Sequence, residues 1–165
     1  MTPFTVFPRA RRLAPLAVGL AAFASSVCAQ TAPAPAADDP DARPPVTRAD
    51  LDIVRRARAI IAAPAQWNRA DNRQCPAGAK VFSLYCALEK ATRDAGLNFE
   101  HRGAALQEVR FVIDEISAER DYDHRLMDYN NDPRTSFADM QQVLHIAEQL
   151  IELRLRTGPT PAAAH

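Results

Sequence analysis

Two cysteines, three histidines and one run of carboxylates and amides carry most of the chemistry this chain could offer. Ten residues separate Cys75 from Cys86, far more than the two-residue spacing that makes a thiol acidic enough for redox exchange. In an exported chain an even pair of cysteines reads as a disulfide, with a buried free thiol at Cys86 and a redox-active pair as the competing readings. His101, His124 and His145 fall at no zinc-ligand spacing and none is near the cysteines, so they read as surface histidines. No metal and no cofactor is expected.

Residues 121–133 hold four aspartates and two asparagines, oxygen ligands that suit a hard cation. A calcium loop of the EF-hand kind would need an oxygen ligand at its fifth position and glycine at its sixth. Arg125 and Leu126 stand there instead. The plainer reading is that these short polar side chains bond nearby backbone and hold a turn before a helix. Ser83, inside an expected helix, and Ser136, at a helix start, lack the glycine elbow and neighbouring base of a nucleophilic serine. No catalytic residue is assigned. Trp67, the sole tryptophan, reads as a core plug, with ligand stacking as the alternative.

The elements that must position these groups read as helices. Thr47 and Asp50 form an acidic capping box for a first helix, whose apolar stripe contains Leu51, Val54 and Ile61 and which Pro64 ends. Its run Arg55-Arg56-Ala57-Arg58 reads as a solvated face. A second helix, from Gly78 to a left-handed cap at Gly96, carries apolar residues around most of its circumference and is expected at the domain centre. A third is expected from about Asn98 to Arg120, with Gln107, Glu108, Asp114 and Glu115 facing water. Ser136 and Asp139 cap a fourth, in which Met140, Val143, Leu144, Ala147, Leu150 and Ile151 recur at three-four spacing. No segment alternates like a strand. The expected class is all-α, a four-helix bundle or orthogonal array.

Outside this region the chain changes character. Arg9, Arg11 and Arg12 precede an apolar run over 13–23 and then small residues, the order of a secretory signal peptide spanning 1–29. Cleavage fits best after Ala29, with a weaker site after Ala24. The apolar run is shorter than the ~20 residues of a membrane span, so no stable membrane insertion is expected after cleavage. Residues 30–45 are rich in Ala, Pro and Asp and read as a disordered tether; 158–165 read as a tail. The folded part is then 46–157. The 165-residue chain has formal net charge zero, and loss of the leader leaves 17 basic against 20 acidic residues. A chain at about −3 without a basic stripe is a poor nucleic-acid binder.

Trp67 beyond the first helix, the segment Ser83-Leu84-Tyr85-Cys86-Ala87-Leu88-Glu89-Lys90-Ala91, and Tyr129-Asn130-Asn131-Asp132-Pro133-Arg134-Thr135-Ser136 together resemble the DUF6197 family. That family shows a tryptophan, a helix with cysteine and alanine, and an aromatic-Asn-Asp-x-Pro segment before a Thr-capped helix. Here Asn131 replaces the aspartate, Tyr129 the usual Trp or Phe, and Ser136 the threonine; the leader and Cys75 have no counterpart. The resemblance, over about Arg48 to Arg156, implies a common helical fold with Trp67, Cys86 and Asn130 near one another, and no activity. The expected function is a periplasmic or secreted, non-enzymatic module for a partner protein or small ligand. The alternative is a small enzyme or sensor with a pocket among Trp67, Tyr129, Asn130 and Asp132, and a third reading makes that loop purely architectural.

Overall fold

A computed structural model describes residues 43–158. Five helices occupy them: α1 Arg48–Ile60, α2 Leu84–Asp94, α3 Ala104–Ile116, α4 Arg125–Asn131 and α5 Phe137–Thr157. A single 3-10 turn, Pro64–Gln66, follows α1. The class is all-α as expected, with five helices instead of four. The expectations for 1–42 and 159–165 lie outside the described residues.

Both acidic capping boxes form. Thr47 and Asp50 exchange bonds at the start of α1, and Ser136 and Asp139 do so at the start of α5. Each satisfies backbone N–H groups that the first helical turn leaves without partners. Gly96 adopts φ 72°, and the amides of Gly96 and Leu97 return to the carbonyls of Arg93 and Thr92, closing α2 in a left-handed cap. A side chain at that φ would be strained.

The start of α2 differs from expectation. Ser83, not Gly78, opens it, with its hydroxyl accepting from the Cys86 amide at 3.2 Å. Phe82 leaves the helical path because its amide and carbonyl pair with Gln66 and Asn68 in one parallel bridge beside Trp67. Apolar spacing through Val81 and Phe82 mimicked another helical turn. The expected third helix is trimmed at both ends, to Ala104–Ile116. Its N-cap, Gly103, has no side chain to offer, and Asp50 of α1 fills the role by accepting from the Ala105 amide at 3.1 Å.

α1 packs on α2, α5 and α3, so it joins more of the bundle than α2 does. α2 still has the widest buried face, with seven of its eleven residues buried. The core between them is Leu51, Val54, Ala57, Leu88, Val109, Ile113, Met140, Leu144 and Ile151. Two surface expectations fail. Gln107 and Glu108 are buried, Glu108 completely, because the 21-residue α5 runs over that side of α3 and supplies Arg154 to the Glu108 carboxylate. Ile116, apolar at the end of α3, is exposed. Arg55 and Arg58 do more than meet solvent: they bridge to Glu148 of α5 at 2.8 and 3.3 Å, with Arg55 also on Glu152. Residues 43–45 belong with the folded part, since the Arg43 guanidinium lies over the Phe111 ring and the Pro44 carbonyl accepts from Arg154.

Burial ranks these contacts. Leu144→Ala should lower the unfolding free energy by about 3 kcal/mol through lost transfer and a residual cavity, while Ser136→Ala should cost about 1 kcal/mol. Urea titration of both variants checks the order; a Leu144 variant no weaker than the cap variant would contradict the packing.

Candidate functional site

The asparagine-rich segment is a helix, α4, where a loop was expected. Asp128 accepts from the His124 amide at its start, and Leu126, Tyr129 and Asn130 turn inward. Asn130 is fully buried and uses all of its hydrogen-bonding capacity. Its Oδ1 accepts from the Trp67 indole at 2.8 Å and from the Leu84 amide at 3.0 Å. Its Nδ2 donates to the Asn68 carbonyl at 2.9 Å and to Asn131 Oδ1 at 3.1 Å. Asn131 in turn exchanges bonds with the amide and carbonyl of Asp71. The two asparagines thus hold α4, the start of α2 and the long connection over 61–83 together.

Asp132, at the end of α4, is equally engaged. It accepts from the Arg134 side chain and amide and from the Tyr122 hydroxyl at 2.7 Å. These bonds hold its carboxyl well below the usual carboxylate range. Its extended backbone, ψ 122°, is the conformation that Pro133 imposes on the residue before it. Arg69 stacks on Trp67 and donates to the carbonyls of Asp132 and Thr135, so the tryptophan is covered by its own neighbours. Tyr129 packs edge-on against Tyr122, and burial raises its pKa.

Trp67, Tyr129, Asn130 and Asp132 therefore meet as anticipated, but as a closed cluster. Of four cavities on the described surface none is lined by Trp67, Asn130 or Asp132, and Tyr129 borders one of them without the other three. Asp71, the carboxylate whose pKa burial pushes up, lies behind Asn131 and not in a cleft. The sulfurs of Cys75 and Cys86 sit at bonding distance, 2.03 Å, fastening the loop before α2 to its first turn. Among the described residues no group of three or more His, Cys, Asp or Glu side chains could hold a metal ion.

A different surface has open chemistry. A cavity of about 200 Å³ is walled by Arg73 from the long connection, Tyr85 from α2, His101 and Arg102 from the α2–α3 turn, Arg110 from α3 and the 123–127 stretch that leads into α4. Arg110 donates to neutral acceptors only, the His101 carbonyl at 2.8 Å and Gln107 Oε1 at 2.7 Å, and meets the His101 ring at 3.3 Å. Burial and the positive charge of Arg125 and Arg102 lower its pKa to about 10. Burial and the surrounding cations lower that of His101 as well. Tyr85 is 9% exposed, packs edge-on against Phe99, and its hydroxyl makes no hydrogen bond among the described residues. Arg73 holds φ 59°, a conformation that strains a residue with a side chain. A larger cavity, about 430 Å³, lies beneath the disulfide loop, but two of its cations are already matched: Lys90 by Asp94 and Arg93 by Glu89.

Sequence reasoning missed the basic cleft and left His101 and His124 as plain surface residues. Arg73, Tyr85, His101 and Arg110 come from four segments and share no spacing. The sequence even pointed the other way, since Asp114 stands one helical turn after Arg110, yet in the structure it pairs with Arg125.

The fold and site together define an all-α domain with a saturated asparagine cluster at one end of a basic cleft. The chain belongs to DUF6197, a family of unknown function, whose model matches residues 45–150, close to the span over which the resemblance was read. No curated protein and no solved structure matches it.

Two outcomes test the cluster. Asn130→Ala leaves the Trp67 and Leu84 N–H groups buried without acceptors and should destabilise the domain by about 2–6 kcal/mol, at one to three per orphaned donor, as read by urea unfolding. Asp132 ionises more easily folded than unfolded, so its contribution is complete above the ordinary carboxylate value of 3.8 and is lost as pH falls through the depressed folded value. Asp132→Asn should be less stable at neutral pH and lose less stability than wild type on acidification below pH ~4, in thermal melts recorded across that range.

Proposed function

We propose that this DUF6197 domain is an exported, non-enzymatic binding module that takes a small ligand or a segment of a partner protein at the cleft of Tyr85, His101 and Arg110. The observation that carries the reading is the polar inventory of the cleft. Tyr85 lines the cleft with a hydroxyl that has no internal partner, and the Arg110 guanidinium is bonded to neutral acceptors alone. Polar groups converging on a cleft in that state are characteristic of sites completed by something from outside.

The alternative enzyme reading placed a pocket among Trp67, Tyr129, Asn130 and Asp132. Asn130 has no valence to spare and Asp132 is held ionised by Arg134 and Tyr122, so neither can serve as a general acid or base without breaking the cluster. The cluster is better read as architecture. Export is supported by the Arg-rich, apolar and small-residue order of 1–29 and by the even pair of cysteines that cleavage would leave, Cys75 and Cys86. With the leader removed after Ala29, the oxidised chain starts at Gln30.

Intact mass analysis of protein recovered from the periplasm of producing cells tests the export half. The expected species begins at Gln30 and carries two hydrogens fewer than the reduced chain; a retained leader or two free thiols would sink it. A small-molecule fragment screen of the labelled protein by amide NMR tests the binding half. Hits should cluster around Tyr85, His101 and Arg110, and hits confined to the Trp67–Asn130 region, or none, would reverse the assignment.

A further inference from the structure

We infer that the cleft selects a compact organic oxyanion, a small carboxylate or phosphate monoester, seated on Arg110 with Tyr85 and His101 beside it. The inference rests on the cleft being the binding site and adds the class of ligand. Four guanidinium groups, Arg73, Arg102, Arg110 and Arg125, face the cavity against one carboxylate, Asp123. Arg125 is joined to Asp114 at 3.1 Å. Arg73, Arg102 and Arg110 have no carboxylate partner among the described residues. Cations gathered without counter-charges repel one another and weaken the fold; an entering anion relieves both effects.

Arg110 is the central member because its surroundings prepare it. Its bonds to the His101 carbonyl and to Gln107 fix the plane of the guanidinium, leaving the fork geometry that matches a carboxylate or phosphate edge. Partial burial lowers the local dielectric, so a charge-assisted bond made there is stronger than one at an open surface. The Tyr85 hydroxyl supplies a neutral donor at the same wall. Leu126 and Met127 add apolar lining for a short hydrocarbon body. A volume near 200 Å³ lies below the usual range for drug-sized ligands, which limits the occupant to a handful of heavy atoms.

The same arrangement couples binding to protons. The His101 ring is faced by Arg73 from the long connection, Tyr85 from α2, Arg102 from its own turn, Arg110 from α3, and Asp123, His124 and Arg125 from the α4 end. The net positive surroundings disfavour its protonation, and a bound anion reverses that preference. By linkage the anion then binds more tightly as pH falls and the ring becomes charged.

The test uses full-length protein with its cysteine pair intact, followed by amide and His101 ring NMR signals. The probes are succinate, phosphate, the neutral isostere succinamide and methylammonium. Succinate or phosphate should shift the signals of Tyr85, His101 and Arg110 saturably. Arg110→Gln should weaken that binding roughly tenfold or more, as loss of a charge-assisted bond implies. Arg102→Gln, at an exposed residue outside the packing, should weaken it less without lowering the thermal midpoint, so a folding defect in the Arg110 variant cannot imitate the result. The midpoint of His101 titration should rise in the presence of the bound anion, which a merely structural Arg110 would not produce. Saturable shifts by succinamide equal to those by succinate would overturn the anion class while leaving the cleft as the site. Linear, non-saturating shifts that ignore both substitutions would mean ionic screening and overturn it too. Silence from every probe, in the charged and neutral arms alike, would count against the cleft itself.

Discussion

A single buried carboxamide, that of Asn130, is the interaction on which the described structure depends. The connection over 61–83 is long for a small helical domain and has no ladder of its own beyond one bridge at Trp67 and Phe82. Its backbone would have to leave polar groups unsatisfied or stay in water. The Asn130 side chain resolves this by accepting from the Trp67 indole and the Leu84 amide while donating to the Asn68 carbonyl. One residue with two acceptor and two donor positions thus joins two other stretches of chain to α4, and no apolar residue of similar size could do so. Asn131 extends the contact to Asp71. Each bond adds about 1 kcal/mol net, yet removing the hub leaves several buried groups uncompensated, which makes it far less replaceable than its average suggests.

That cluster also sets the geometry of the basic cleft. α4 is only seven residues long, too short to be stable by itself, and it is held where it lies by Asn130 and the burial of Leu126 and Tyr129. Its first turn is what brings His124, Arg125, Leu126 and Met127 to the cavity. On the other side, the Asn131–Asp71 bonds and the Asp71–Arg73 bond fix the loop that presents Arg73 in its left-handed conformation. Architecture and candidate site are therefore continuous: the saturated amides hold the unsaturated cations in place. Stability is concentrated where the polar groups are satisfied, and binding potential where they are not.

The connection of α1, α3 and α5 follows the same economy of partners. Asp50 completes its own capping box and then caps α3 across the bundle, because Gly103 has no side chain to do it. Glu108, wholly buried on α3, is matched by Arg154 of α5, whose other arm takes the Pro44 carbonyl. A charge at that depth is costly unless paired, so the pair fixes which face of α5 lies on α3 more than it adds net stability.

Local chemistry was legible wherever neighbours in sequence are also neighbours in space. The caps at Thr47, Ser136 and Gly96, the helical class and the apolar stripe of α5 all follow from backbone geometry over three or four residues, and they stand in the structure as read. The same periodicity misled at Val81 and Phe82, where a bridge to Gln66 and Asn68 outcompeted another helical turn, and at Glu108, where a distant arginine made burial of a carboxylate possible. Family kinship placed Trp67 near Asn130, but only tertiary structure decided that the pair is closed to ligands, because saturation of a hydrogen bond depends on groups sixty residues away. The cleft is the extreme case. Its cations come from separate segments, and the repulsion among them, which no spacing encodes, arises only once the fold has brought them to one wall.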